Sequence, residues 1–241
     1  MRAITAKGTP GAAAVYRRHG VAEPTVGLRY ADIGALVKRI GVDHDLALAL
    51  WDTGLHDARV VATKVADPLQ LTRATLDRWL ADCANYIVTD AVAGTAARTP
   101  DAPALAQRWL KARGEWASAA GWTVVSLLAM DGRLPEAAAA ALLDRIARGI
   151  HRAPNRTRYA MNGALIAIGG AMPGLRARAT AVARAIGVVE VDHGETGCKT
   201  PDACTMIDAM ANHRAARRTR VTGARLAGSA RPRGGGARRR R

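Results

Sequence analysis

Between Tyr30 and about Met210 the chain repeats one pattern. A stretch of roughly 10 to 17 residues carries apolar groups at helical spacing, and a short polar break follows. Asp43 stands before Leu46, Leu50 and Trp51, whose spacing sets them on one face, and is the expected N-cap of that helix. A second helix is expected from near His56 through Val60, Val61 and Val65, stopped by Asp67-Pro68. Thr72 precedes a third with Leu76, Trp79 and Leu80, a fourth runs from about Asn85 to Ala97, and Asp101 opens a fifth with Leu105, Trp109 and Leu110. The next spans Trp116 to Met130, and another starts at Pro135, a residue favoured in a first turn, and ends near Ile150. Asn155 is the expected cap of a helix that Gly169-Gly170 ends; Leu175 to Ile186 make one more, and Thr200-Pro201 open the last. Only VVEV at 188 to 191 could read as a strand. Paired helices of this length with short turns predict an all-α fold, an α-solenoid of antiparallel helix pairs. No tight internal repeat is visible, so the repeats are divergent. Such a stack presents an extended concave face, shaped to cradle a cylinder.

Composition agrees. Hydrophobic residues make up 49% of 241, dominated by Ala and Leu, the best helix formers. Aromatics are 4% and Phe is absent, so Trp51, Trp79, Trp109 and Trp122 are expected in the core. No apolar stretch is long enough to span a bilayer, and the first residues lack the apolar block of a secretion signal. The three cysteines, Cys83, Cys198 and Cys204, are scattered and odd in number, which argues against a disulfide framework and for a cytoplasmic protein.

The formal net charge is +16, with 36 basic against 20 acidic residues. After Asp208 there is no acidic residue and there are eleven arginines: Arg214, Arg217, Arg218, Arg220, Arg225, Arg231, Arg233 and Arg238 to Arg241. Residues 216–241 therefore read as a disordered Arg-rich tail, residues 15–215 as the helical domain, and residues 1–14 as a flexible N-terminus. A polybasic arm adds salt-sensitive affinity for any polyanion, although it also serves as a solubilising extension.

Leu50-Trp51-Asp52-Thr53-Gly54-Leu55-His56-Asp57-Ala58-Arg59 resembles the LW-x-(S/T)-G-x-H-(E/D)-AR signature of the DNA alkylation repair family, alkylpurine DNA glycosylases built from HEAT-like repeats. Asp77-Arg78-Trp79, Asn85-Tyr86 with Asp90, Glu115-Trp116 with Ala120-Gly121, and Ala160-Met161-Asn162 with Ala164 to Gly169 follow in the family's order. VEVDHGETGCKTPDA at 189 to 203 is similar to one branch of it. The resemblance covers roughly residues 15 to 210. It implies a HEAT-like solenoid with a basic groove that grips duplex DNA by its backbone and excises cationic N3- or N7-alkylated purines without extruding the nucleotide, unlike the usual base-flipping strategy.

An alkylated purine already carries positive charge, so it leaves without a general acid. The protein then has to supply negative charge near C1′ and a positioned water for an oxocarbenium-like state. Aligned on the family's W-x-x-x-D motif, Asp90 falls at the catalytic carboxylate and Tyr86 at the aromatic that packs on the sugar-phosphate backbone. Their i, i+4 spacing sets both on one helix face. A solvated helix carboxylate is the alternative reading of Asp90. Three departures stand against a proficient enzyme. The family's second aromatic falls at Gly163, the Arg that precedes Ala-Gly falls at Ala119, and the first Trp is Tyr86.

Further DNA-binding candidates are Lys38, Arg39 and Arg59 on earlier helices and Arg152, Arg156 and Arg158 at a helix start, where free amides also favour phosphate. Arg156 and Arg158, two positions apart, cannot fully share a face. Gly194 to Thr200 lacks the glycine before lysine that a phosphate loop needs. Asp192, His193, Glu195, Cys198, Cys204 and His213 lack zinc-ligand spacing, so neither a metal nor a cofactor is expected. The sequence thus points to a monomeric, nucleoid-associated binder of alkylated duplex DNA that acts as a glycosylase through Asp90. The rival readings are a catalytically weak duplex binder and a helical scaffold for another protein.

Overall fold

A computed structural model describes residues 1–214; the Arg-rich tail inferred for 216–241 lies outside them. Thirteen helices follow in order: α1 (Arg2–Thr5), α2 (Pro10–Arg18), α3 (Tyr30–Ile40), α4 (His44–Trp51), α5 (His56–Val65), α6 (Arg73–Ala81), α7 (Tyr86–Ala96), α8 (Ala102–Leu110), α9 (Glu115–Met130), α10 (Glu136–Gly149), α11 (Asn155–Ala171), α12 (Arg176–Ile186) and α13 (203–214). Short 3-10 turns precede α11 and α12. There is no strand among the described residues; 188 to 191 is irregular.

The helices stack in two layers. α5, α7, α9 and α11 touch in sequence to form an inner row that α3 extends at one end, while α4, α6, α8 and α10 back it as an outer row. Successive inner helices are separated by a full helix and two turns, so they run parallel and their N-termini share one edge. The expected caps at Asp43 and Thr72 form, and Asn85 caps α7 as well: each side chain accepts from the backbone N–H three residues on.

Several boundaries depart from expectation, each for a packing reason. Asn155 does not cap α11, because its amide clasps the Asp192 backbone, donating to the carbonyl at 2.7 Å and accepting from the N–H at 2.8 Å. Gly169 and Gly170 do not end α11. They let α13 lie against it, since a Cβ at Gly169 would stand 2.8 Å from Ile207 and one at Gly170 2.6 Å from Met210. Asp101 caps nothing and pairs with Arg73 at 2.6 Å. Asp202 rather than Thr200 caps α13, accepting from the Thr205 N–H. Residues 1–14, expected to be flexible, instead carry α1 and the start of α2, with Ile4 in the core and the Thr9 N–H bonded to the Gly27 carbonyl.

The core tryptophans are buried, as their scarcity implied. Trp51 and Trp79 stack at 4.4 Å with planes 8° apart; the Trp51 indole donates to Asp82, and the Trp109 indole to Asp77. The LW…HDAR stretch builds this scaffold. Arg59 lies 5.1 Å over the Trp51 ring and donates to the Asp82 carbonyl. Asp57, fully buried, accepts from the Val26 N–H, the Leu28 N–H and the Thr25 hydroxyl at 2.6 to 2.9 Å, which ties the segment before α3 to α5. Asp57→Ala would leave two buried N–H groups unpaired and is expected to cost about 3 kcal/mol, read from urea unfolding together with faster proteolysis near residue 26.

Beside it, His56 is fully buried against Tyr16, and neither ring nitrogen has a partner among the described residues. Burial holds its pKa below the usual imidazole value, only partly opposed by Asp57 and Glu23. The unfolded chain takes up this proton at about pH 6.5 and the folded chain resists it, so stability falls as pH drops through that value. The urea midpoint is expected to fall between pH 7.5 and pH 5, and by less in His56→Gln.

Candidate nucleic-acid interface

The register of three parallel inner helices builds the site. The Thr123 hydroxyl of α9 lies 3.3 Å from Asp90 Oδ1 on α7 and donates to it, so residue 123 stands level with residue 90. One turn earlier on each helix, Ala119 therefore stands level with Tyr86. On the other side of α9, a Cβ at Gly163 of α11 would lie 4.0 Å from Ser126 Oγ, so 163 is level with 126 and Arg156 with Ala119. Across the start of the three helices the order is Tyr86, Ala119, Arg156. One turn deeper come Asp90 and Thr123, then Ser126 and Gly163.

Arg156 reaches across this row. Its guanidinium carbon lies 4.0 Å from the Tyr86 ring centre and 4.5 Å from that of Tyr159, one turn along its own helix. Its backbone N–H donates to Glu115 Oε1 at 2.6 Å, and the Thr157 hydroxyl donates to the Glu115 carbonyl, pinning the start of α11 to the start of α9. Stacking engages the face of a guanidinium and leaves its in-plane N–H groups free to fork onto an oxyanion. Arg156 makes no ion pair among the described residues.

Asp90 is exposed to water yet ringed by protein on the groove floor. That enclosure raises its pKa above the ordinary carboxylate value, against the opposing pull of Arg156 and the Thr123 hydrogen bond. Tyr30, at the start of α3, feels the Asp90 charge, and its phenol is raised by enclosure and then by that charge. Tyr86 is raised by enclosure and lowered by Arg156. Its hydroxyl shares a hydrogen bond with His19 Nδ1, so the end of α2 closes one side of the site. The segment between α12 and α13 closes another: His193 packs edge-on to Tyr159 at 5.6 Å. Beside Asp90, a cavity of about 430 Å³ is lined by Val37, Lys64, Gly94 and Arg98 among others.

The structure gathers some of the sequence-derived candidates and disperses the rest. Asp90, Tyr86 and Arg156 converge. Arg59 does not, because its guanidinium is spent on Trp51 and Asp82 and its side chain is 14% exposed. Arg158 turns away to the Glu190 and Ala153 carbonyls, as its offset from Arg156 requires. Arg152 bonds the Arg148 carbonyl of the preceding helix. Lys38 and Arg39 are exposed near the end of α3, at the opposite edge of the inner row from Tyr86. Sequence reasoning missed Tyr30, Thr123, Tyr159, His19 and His193. Of these, Tyr159 had a signal in its i+3 spacing from Arg156, while the others meet the site only through long-range packing. Among the described residues no three His, Cys, Asp or Glu side chains cluster as metal ligands, and no helix is long and apolar enough to cross a membrane.

Residues 1–206 match the model of the family described as DNA alkylation repair enzyme. The chain belongs to that family. Among its relatives are two uncharacterized proteins, Lin0241 of Listeria innocua and Lmo0209 of Listeria monocytogenes, each 28% identical over 84% of this chain and 92% of the relative. A solved structure superposes with a TM-score of 0.80 at 27% identity, over 88% of this chain and 92% of the other, which makes the fold HEAT-like. That structure represents "a new family of proteins related to the HEAT-like repeat DNA glycosylases with affinity for branched DNA structures". The Asp90 carboxylate keeps its access to water. Asp90→Asn is therefore expected to move the thermal midpoint by about 2 °C or less at neutral pH, checked by calorimetry.

Proposed function

We propose that this chain is a DNA-binding repair protein that seats DNA in the groove of its inner helices by backbone contacts, favouring branched over linear duplex. One observation carries the reading: the Arg156 guanidinium stacks on Tyr86 and Tyr159 with its N–H groups uncommitted to any carboxylate among the described residues, at the mouth of a concave row of helices. A fixed guanidinium edge matches a phosphate, and such contacts position nucleic acid without reading sequence. The branched-DNA affinity of the structural neighbour supports the choice of substrate class. So does the gap at Gly163, which leaves the groove wider than an aromatic there would.

A second reading retains base excision. It is favoured by Asp90, a water-accessible carboxylate fixed by Thr123 one turn from the Tyr86 ring and able to face a developing positive charge at C1′. Arg156 already covers Tyr86, and residue 163 offers no ring, so the sugar would be held less tightly than between two aromatic walls, at about 1–3 kcal/mol for a lost stacking partner.

The test combines fluorescence anisotropy on labelled linear duplex and four-way junction DNA with chromatographic detection of N7-methylguanine or N3-methyladenine released from alkylated duplex. Binding is expected to weaken steeply with salt and to be tighter for the junction. Asp90→Asn is expected to bind at least as well as the wild type, because it removes a negative charge from beside the phosphates. Base release that disappears in Asp90→Asn would establish excision. Absence of saturable binding by the chain shortened to residue 214 would overturn the groove as the DNA site.

A further inference from the structure

The helix register carries one consequence for which side chain grips the backbone in this groove. α9 lies between α7 and α11, so a side chain of α11 that touches Tyr86 at the start of α7 has to pass over the first turns of α9. The residue of α9 level with both Tyr86 and Arg156 is Ala119, and it is 4% exposed, beneath that crossing. Its smallness is what the crossing needs. A long side chain at 119 would project from the middle of the row into the space between Tyr86 and Arg156, and a cationic one would set two like charges a few ångströms apart.

We propose that Arg156 is the phosphate-gripping arginine of this groove, admitted across α9 by Ala119, so that positions 119 and 156 hold a single arginine between them. The assignment rests on the DNA-binding reading above. It gives the covered Tyr86 ring a purpose: with Tyr159 it clamps the guanidinium edge-on to the groove, one turn above Asp90. The backbone N–H of Arg156 is itself fixed by Glu115 at the start of α9, which anchors the turn of α11 from which the side chain leaves. Arg158, two residues on, faces the Glu190 carbonyl and is unable to substitute.

A double-mutant cycle on the full chain tests this, read by anisotropy on fluorescein-labelled four-way junction and linear duplex DNA across a salt series. Arg156→Ala is expected to weaken binding about tenfold and to reduce the slope of log K against log salt by about one ion. Ala119→Arg alone is expected to give no gain, and in the Arg156→Ala background it is expected to recover most of the lost affinity and the slope. Arg158→Ala, a basic residue near the same helix start, is expected to leave the slope unchanged.

If Ala119→Arg strengthens binding equally with and without Arg156, the two positions are independent and the inference falls, while DNA binding in the groove stands. It falls too if Arg156→Ala binds as the wild type does. A wild type that fails to bind either DNA overturns the functional reading itself. The packing half is read without DNA. The loss of thermal midpoint caused by Ala119→Arg is expected to shrink when residue 156 is alanine, and equal losses in both backgrounds would overturn the shared seat.

Discussion

The close approach of α9 to its neighbours is the constraint on which the rest depends. A Cβ at Gly121 would stand 2.7 Å from the Leu110 nitrogen and 3.0 Å from the Trp109 carbonyl carbon, so only glycine lets α9 lie so near the end of α8. With α9 seated there, its other faces meet α7 and α11, and small residues at Ser118, Ala119 and Ala120 keep those contacts close. Interiors packed at such density have few alternative arrangements. The level alignment of Tyr86 with Ala119 and of Asp90 with Thr123 is therefore a property of the core before it is a property of the site.

The LW…HDAR stretch serves the scaffold. Trp51, Asp57 and Arg59 spend their polar atoms on one another's surroundings: an indole on Asp82, a carboxylate on the Val26 and Leu28 amides, a guanidinium on a tryptophan face. The residues that carry the sequence resemblance in this stretch thus hold the solenoid together. Ala119 and Gly163, the positions at which the sequence resemblance implied a departure, lie instead on the inner helices α9 and α11.

Charge behaves likewise. A basic sequence promises affinity for polyanions, but among the described residues Arg59, Arg133, Arg145 and Arg158 direct guanidinium groups at backbone carbonyls, and Arg73, Arg78 and Arg108 at carboxylates. These cations stitch one repeat to the next and satisfy carbonyls at helix ends. Arg156 differs because its partners are two aromatic faces, which hold it in place without neutralising it.

The sequence by itself determined the all-helical fold, the helix order from α3 on and the N-caps at Asp43 and Thr72, because periodicity and capping depend on residues a turn or two apart. It also marked Tyr86 and Asp90 as sharing a face, since four residues on one helix suffice for that. It misplaced the start of α13 and the end of α11, where a glycine pair that looks like a terminator is instead a seat for Ile207 and Met210. Which arginine points into the groove, and that Thr123 and His19 meet Asp90 and Tyr86, only the tertiary structure decided. Those contacts join residues more than 30 positions apart across separate helices, through a register that packing volumes fix and local pattern does not encode.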